Sequence, residues 1–229
     1  MKRKHFLKTT ALGLLACQIP RLTFAESAKK LPNVLILGDS ISMGYTKIVQ
    51  KMLEGKAHVY RPTNAKGKFL NCQGTTLGIQ KIDTWLSGKE WDVIHFNFGL
   101  HDLKHVDPIT GKNSSNSKDP QQANKRAYKK NMLQIVRKLK LTEAKLIFAT
   151  TTPFPDKPHG PHRRANQPKK YNKIALKIMK KNNIKINNLH DFCLPQLDQL
   201  QQPNNVHFTE IGSKALAKQV TSSILKELS

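Results

Sequence analysis

Apolar positions fall in short continuous blocks separated by longer polar stretches with helical spacing. Asn33-Val34-Leu35-Ile36-Leu37 is an unbroken apolar run closed by Gly38. Such a run predicts a strand buried on both faces of a sheet. Ser42 to Leu53 follows with Ile48, Met52 and Leu53 at helical positions. His58-Val59-Tyr60 predicts a short second strand, and Thr75 to Leu86 a helix with Leu77, Ile79, Ile82, Trp85 and Leu86 on its apolar side. Trp91 to Phe98 predicts the third strand, Ala123 to Leu139 a helix, and Leu146-Ile147-Phe148-Ala149 the fourth strand. Lys170 to Lys181 predicts a helix, Ile184 to Ile186 a fifth strand, and Glu210 to Leu225 a closing helix capped by Thr209.

Two stretches carry no period. Residues 104–120 are polar and contain Pro108, Gly111 and Pro120. Residues 153–170 contain five prolines, Pro153, Pro155, Pro158, Pro161 and Pro168, which forbid regular structure there. Strands alternating with helices predict an α/β fold with a parallel sheet, and five of them suggest a flavodoxin-like order. Ligands on such sheets sit outside the carboxyl ends of the strands. There is no internal repeat, and 229 residues fit one domain after a leader.

The leader is residues 1–25. Lys2, Arg3 and Lys4 precede a short apolar stretch from Ala11 to Cys17, and Thr23-Phe24-Ala25 offers small residues for cleavage. This predicts an export signal, Tat-like through Arg3-Lys4 or Sec-dependent, with the domain over 31–229. Leu14-Leu15-Ala16-Cys17 has the look of a lipobox, with lipid on Cys17 as the variant outcome. A soluble periplasmic or secreted protein is the expectation. No run of about 18 apolar residues predicts a membrane span.

Charge narrows the partners. The chain has 39 Lys and Arg against 15 Asp and Glu, a net charge of +24. The leader holds five of the basic residues and no acid, which leaves 34 against 15, or +19. Such a balance attracts polyanions. The chain carries no recognisable nucleic-acid module, and export argues against that partner. An acidic or sulfated polysaccharide, or an anionic surface, fits better, and a merely solvated lysine face is the plain alternative. Past the leader, Cys72 and Cys193 remain. An oxidising compartment permits a disulfide between them; two buried thiols are the alternative.

The chemistry gathers where the sheet rule directs attention. The first strand ends in Gly38-Asp39-Ser40-Ile41-Ser42 and a helix follows. A serine on that turn directs its hydroxyl and its N–H toward the open end of the sheet, near the positive end of the helix. Ser40 is then a nucleophile in need of a base, or simply a helix cap. The third strand ends in Gly99-Leu100-His101-Asp102, and Asn204-Asn205-Val206-His207-Phe208-Thr209 precedes the last helix. A glycine-bearing loop, Asn71-Cys72-Gln73-Gly74, could converge with them at that end of the sheet.

These blocks together resemble the SGNH/GDSL hydrolases. Gly38-Asp39-Ser40-Ile41-Ser42 resembles the first block of that family. Gly74, with Gly78 as competitor, resembles the second, Gly99-Leu100-His101-Asp102 the third, and Val206-His207-Phe208-Thr209 the last. The resemblance runs over nearly the whole chain after the leader. It implies a three-layer α/β/α sandwich and ester hydrolysis through an acyl-serine, with no metal or organic cofactor. Ser40 would attack the ester and His207 would act as its base. The N–H groups of Ser40 and Gly74 would hold the oxyanion, with His101 standing where the family has an asparagine donor. Asn204 stands where the family has the acid of the triad, and an amide cannot stabilise imidazolium by charge. Asp102 and Asp191 are alternative acids.

The implied substrate is a small-molecule or glycan ester, anionic in the variant that the charge suggests. A catalytically impaired glycan- or polyanion-binding protein on the same fold is the competing reading. His159, His162, Arg163 and Arg164 lie in the Pro-rich loop and could meet an anionic substrate or a metal; solvated loop residues are the simpler reading. His95 reads as a core histidine, Trp85 and Trp91 as packing residues, and the lysines of 169–181 as a solvated face.

Overall fold

A computed structural model describes Met1 and residues 30–229. The leader expected over residues 1–25, including Cys17, lies beyond Met1 outside the described residues. Five strands form one wholly parallel sheet: β1 Asn33–Leu37, β2 His58–Tyr60, β3 Val93–Phe96, β4 Lys145–Ala149 and β5 Lys185–Asn187. Their order is β2-β1-β3-β4-β5, the flavodoxin-like arrangement. The connecting helices are α1 Ser40–Met52, α2 Thr75–Leu86, α3 Lys125–Lys140 and α4 Gln167–Lys181. Two short helices, α5 Leu189–Cys193 and α6 Leu197–Leu200, flank a single 3-10 turn, and α7 Glu210–Leu228 ends the chain.

The alternation of side chains along each strand builds two apolar layers. Leu35, Leu37, Ile94, Phe96, Leu146 and Phe148 face one way and pack with residues of α2, α3 and α4, among them Ile82, Met132, Ile135, Tyr171 and Met179. Val34, Ile36, Val93, Ile147 and Ala149 face the other way, against Tyr45 and Val49 of α1 and Leu216, Val220 and Ile224 of α7. The result is an α/β/α sandwich. Cys72 belongs to the first layer and Cys193 to the second. Both are buried free thiols, so the sheet separates them and no disulfide joins them.

Several boundaries differ from the sequence expectation for local reasons. Helix α1 starts two residues early because Asp39, not Ser40, is its cap: the Asp39 side chain accepts from Ile41 N. Pro168 lies in the first turn of α4 rather than in the loop. There its missing N–H removes no helical hydrogen bond. The short helices between 189 and 200 carry too few turns to display a period. Thr209 caps α7 as expected, accepting from Gly212 N.

Parallel register brings the carboxyl ends of the central strands side by side: Leu37 pairs with Phe96, and Phe96 with Phe148. After β1 the chain turns outward to β2 and then crosses back to β3. The two directions diverge between β1 and β3, which opens a crevice at that edge.

Candidate active site

Ser40 is the first residue of α1, directly beyond the end of β1. Its N–H has no intrahelical partner by geometry and lies at the positive end of the helix. The turn beneath it is held by buried polar groups. Ser42 Oγ donates to the Asp39 carbonyl at 2.6 Å. The buried guanidinium of Arg61 donates to the carbonyls of Gly38, Asp39 and Leu70 and to Ser42 Oγ. Asp39 itself is buried, and burial raises its carboxyl above the ordinary range against the opposing pull of Ile41 N–H, Arg61, His207 and Arg163. Because Asp39 does the capping, the Ser40 hydroxyl is free for another partner.

That partner is His207. Its Nε2 lies 3.0 Å from Ser40 Oγ. Its Nδ1 lies 2.8 Å from Asn205 Oδ1, and the same oxygen accepts from the His207 main-chain N–H at 3.1 Å. An amide oxygen carries no hydrogen and can only accept, so Nδ1 carries the proton and Nε2 offers its lone pair to Ser40. The Asn205 amide group donates to Gln202 Oε1 at 3.2 Å, consistent with that orientation.

The orienting carboxamide is therefore Asn205 and not Asn204. Asn204 is exposed and has φ of 50°, a left-handed conformation. Its carbonyl accepts from His159 N at 2.7 Å. The reversal at Asn204 folds the next residue back under the imidazole. Neither alternative acid reaches His207. The Asp191 carboxylate sits 2.8 Å from His190 Nδ1, and Asp102 is committed to α2.

Gly74 is the N-cap of α2 and supplies no side chain to that end. Asp102 supplies it instead: its carboxylate accepts from Thr75 N at 2.8 and 3.0 Å and from Thr75 Oγ1. A Cβ on Gly74 would come within 2.8 Å of that carboxylate. Glycine is thus required by the close approach of Asp102, and its N–H stays outside the helical ladder. Gly78 has a different task. A Cβ there would meet Ile135 Cδ1 at 2.8 Å, so it is a packing glycine between α2 and α3. Burial raises the Asp102 carboxyl to about 7, against the lowering effect of the Thr75 hydrogen bonds. His101, next to it, is pushed down to about 3 by burial and by Lys104, Arg163 and His207. A neutral imidazole at that position can donate one hydrogen bond, as an asparagine would.

Residues 36–215 match the model of the GDSL-like lipase/acylhydrolase family. The chain belongs to that family. As a GDSL-like acylhydrolase it is an ester-bond hydrolase. No curated protein sequence matches it. Solved structures with the same fold include the acetyl xylan esterase AlAXEase, with a TM-score of 0.65 and 17% identity over 84% of this chain and 99% of that one. A lipase/acylhydrolase from Enterococcus faecalis has a TM-score of 0.65 and 17% identity over 85% of this chain and 95% of its own. An acetyl-xylooligosaccharide esterase from a Geobacillus has a TM-score of 0.64 and 15% identity over 86% and 94%.

In this GDSL-like hydrolase the remaining polar residues divide clearly. His95 is fully buried in β3, with Nε2 3.2 Å from Asn187 Nδ2, and burial lowers it to about 4. Trp85 and Trp91 are buried packing residues. His159 and Arg164 are exposed, as are Lys169, Lys170, Lys173, Lys177, Lys180 and Lys181. Arg163 departs from expectation: it is buried, not a solvated loop residue. Among the described residues no cluster of three or more His, Cys, Asp or Glu could hold a metal ion. No described helix is long and apolar enough to cross a membrane. Sequence reasoning missed Asn205, Arg61 and Lys104. Asn205 stood within the quoted motif, but its role depends on the path of the turn.

Proposed function

We propose that the chain is an exported carboxylester hydrolase that removes acetyl or similar small acyl groups from a carbohydrate, with Ser40 as nucleophile and His207 as base. The observation that carries the site is the relay from Ser40 Oγ to His207 Nε2 at 3.0 Å and from His207 Nδ1 to Asn205 at 2.8 Å. Export rests on the leader-like composition of residues 1–25. The carbohydrate rests on fold neighbours named for acetyl xylan and acetyl-xylooligosaccharides.

In the first half-reaction Ser40 Oγ attacks the ester carbonyl as His207 Nε2 takes its proton. The oxyanion would be held by the N–H groups of Ser40 and Gly74 and by His101, each donor worth roughly 3 kcal/mol of barrier. Collapse expels the alcohol, which receives the proton from His207. A water then gives its proton to Nε2 and attacks the acyl-serine, releasing the acid and restoring Ser40. Asn205 keeps Nδ1 protonated but lends no charge to the imidazolium.

The test is a fluorophosphonate probe read by intact mass, on the protein without its leader and on Ser40→Ala. One adduct on the first and none on the second is the expected result. No adduct on folded protein would remove Ser40 from the nucleophile role and favour a glycan-binding protein on the same fold.

A further inference from the structure

Two cations are buried beside the proposed acyl site without a carboxylate in contact with either; the nearest protein anions act on them only at a distance, Asp39 on Arg163 and Asp102 on Lys104. Lys104 is 7% exposed and Arg163 is 9% exposed. Neither forms an ion pair among the described residues, where the bridges are Lys138–Asp83, His190–Asp191 and Lys214–Glu210. The Nε of Arg163 is buried and has no hydrogen-bond partner. Arg61, the other buried guanidinium, behaves in the opposite way and spends its donors on the carbonyls beneath Ser40. Arg163 therefore carries a burial cost that no ion pair or Nε hydrogen bond within the protein offsets, and only the more distant Asp39 carboxylate acts in its favour.

The two cations come from loops joined to each other. His105 N donates to the His162 carbonyl at 3.0 Å, and His162 N to the Ser114 carbonyl at 2.7 Å. This sets Lys104, the residue before His105, beside Arg163, the residue after His162. The same Pro-rich loop is tied to the histidine loop through His159 N and the Asn204 carbonyl. The charge of Arg163 is felt by Asp39 and by His101, the neighbours of the crevice on the β1 and β3 sides. It is felt by Lys104 as well, and burial together with this repulsion lowers the lysine against the opposing pull of Asp102.

We propose that Lys104 and Arg163 form a subsite for an anionic substituent, a carboxylate or a sulfate, carried by the sugar of the ester substrate. This rests on the hydrolase reading above and narrows its substrate to an acylated acidic glycan. A planar guanidinium with free donors matches either oxyanion group, and a second cation beside it adds charge without geometric demand. The net charge of +19 outside residues 1–25 would draw an acidic chain toward the same surface.

The experiment measures acetate release from three acetylated oligosaccharides: a neutral xylo-oligosaccharide, one bearing uronate and one bearing sulfate. Wild type should favour one of the anionic esters in kcat/KM by about tenfold or more, and which one it favours identifies the group. Arg163→Met should lower that preference by about tenfold, through KM, and Arg163→Lys by less. Equal kcat/KM for all three esters overturns the proposal. So does a loss in Arg163→Met that is uniform across them. Failure of the hydrolase reading has a separate signature: no acetate from any ester and no fluorophosphonate adduct. In that event calorimetry decides the subsite, with the deacetylated uronate and sulfate oligosaccharides titrated into Ser40→Ala alone and combined with Arg163→Met. Weaker binding in the double variant supports the subsite, and identical binding overturns it.

Discussion

Asn205 Oδ1 lies 2.8 Å from His207 Nδ1 and also accepts the His207 main-chain N–H. A neutral oxygen here fixes the tautomer but would not stabilise the imidazolium that the proposed mechanism forms as Ser40 loses its proton. Asn205→Asp should therefore raise kcat, and it should move the acid limb of the kcat/KM profile to higher pH, because a carboxylate favours protonated His207. Asn205→Ala should lower kcat by about tenfold or more through loss of orientation. Asn204→Asp, whose side chain is turned to solvent, should have the smaller effect. Steady-state kinetics with a chromogenic acetate ester, from pH 5 to 9 in outline, separates the three. A larger gain from Asn204→Asp than from Asn205→Asp would reverse the assignment.

His101 is held to about 3 by burial and neighbouring cations. Above that value it stays neutral, so it should contribute no titration to the rate profile there. If it donates to the oxyanion, His101→Ala should lower kcat by about 100-fold with little change in KM. His101→Asn should keep most of the activity. Loss of folding in both variants, seen by circular dichroism, would instead assign His101 to structure.

Gly74 and Gly78 are separable by one methyl group. Gly74→Ala would drive its Cβ to 2.8 Å from the Asp102 carboxylate and 3.1 Å from Asp102 N. It should lower stability by about 1–3 kcal/mol and displace the N–H proposed for the oxyanion, so kcat should fall too. Gly78→Ala meets Ile135 and Phe98 and should lower stability without a matching fall in kcat. Thermal melts read beside kcat test the pair.

Asp102 gives a pH signature to stability. Its folded value is about 7 against an ordinary 3.8. Between those values the folded protein keeps a proton that the unfolded chain has released. The Asp102 contribution to unfolding free energy therefore falls as pH rises through this window, by at most about 1.4 kcal/mol per pH unit, and levels off above it. Asp102→Asn can still accept from Thr75 N and should flatten that slope. Denaturant unfolding at several pH values checks this, and an unchanged slope in the variant would remove Asp102 as its source.

The sequence by itself determined the sheet and most of the helices. Continuous apolar runs as short as Val34-Leu35-Ile36-Leu37, closed by Gly38, fit a strand covered on both faces better than a helix, which needs more residues. The Gly-Asp-Ser turn after the first of them could then only open at the crevice edge. Ser40, Gly74, His101 and His207 were legible as candidates on those grounds and on family resemblance. Only the tertiary structure decided which polar groups meet. Asn205 rather than Asn204 reaches His207 because of one left-handed residue in a loop. Arg61 underpins the turn at Ser40 across a long stretch of chain. Cys72 and Cys193 lie in separate layers. Arg163 and Lys104 are buried because two aperiodic loops are joined at His105 and His162. Apolar burial is written in the period of the chain, since every strand or helix must hide the same face along its length. A polar contact depends on the path of the loops, where no period exists, and so it waits for the fold.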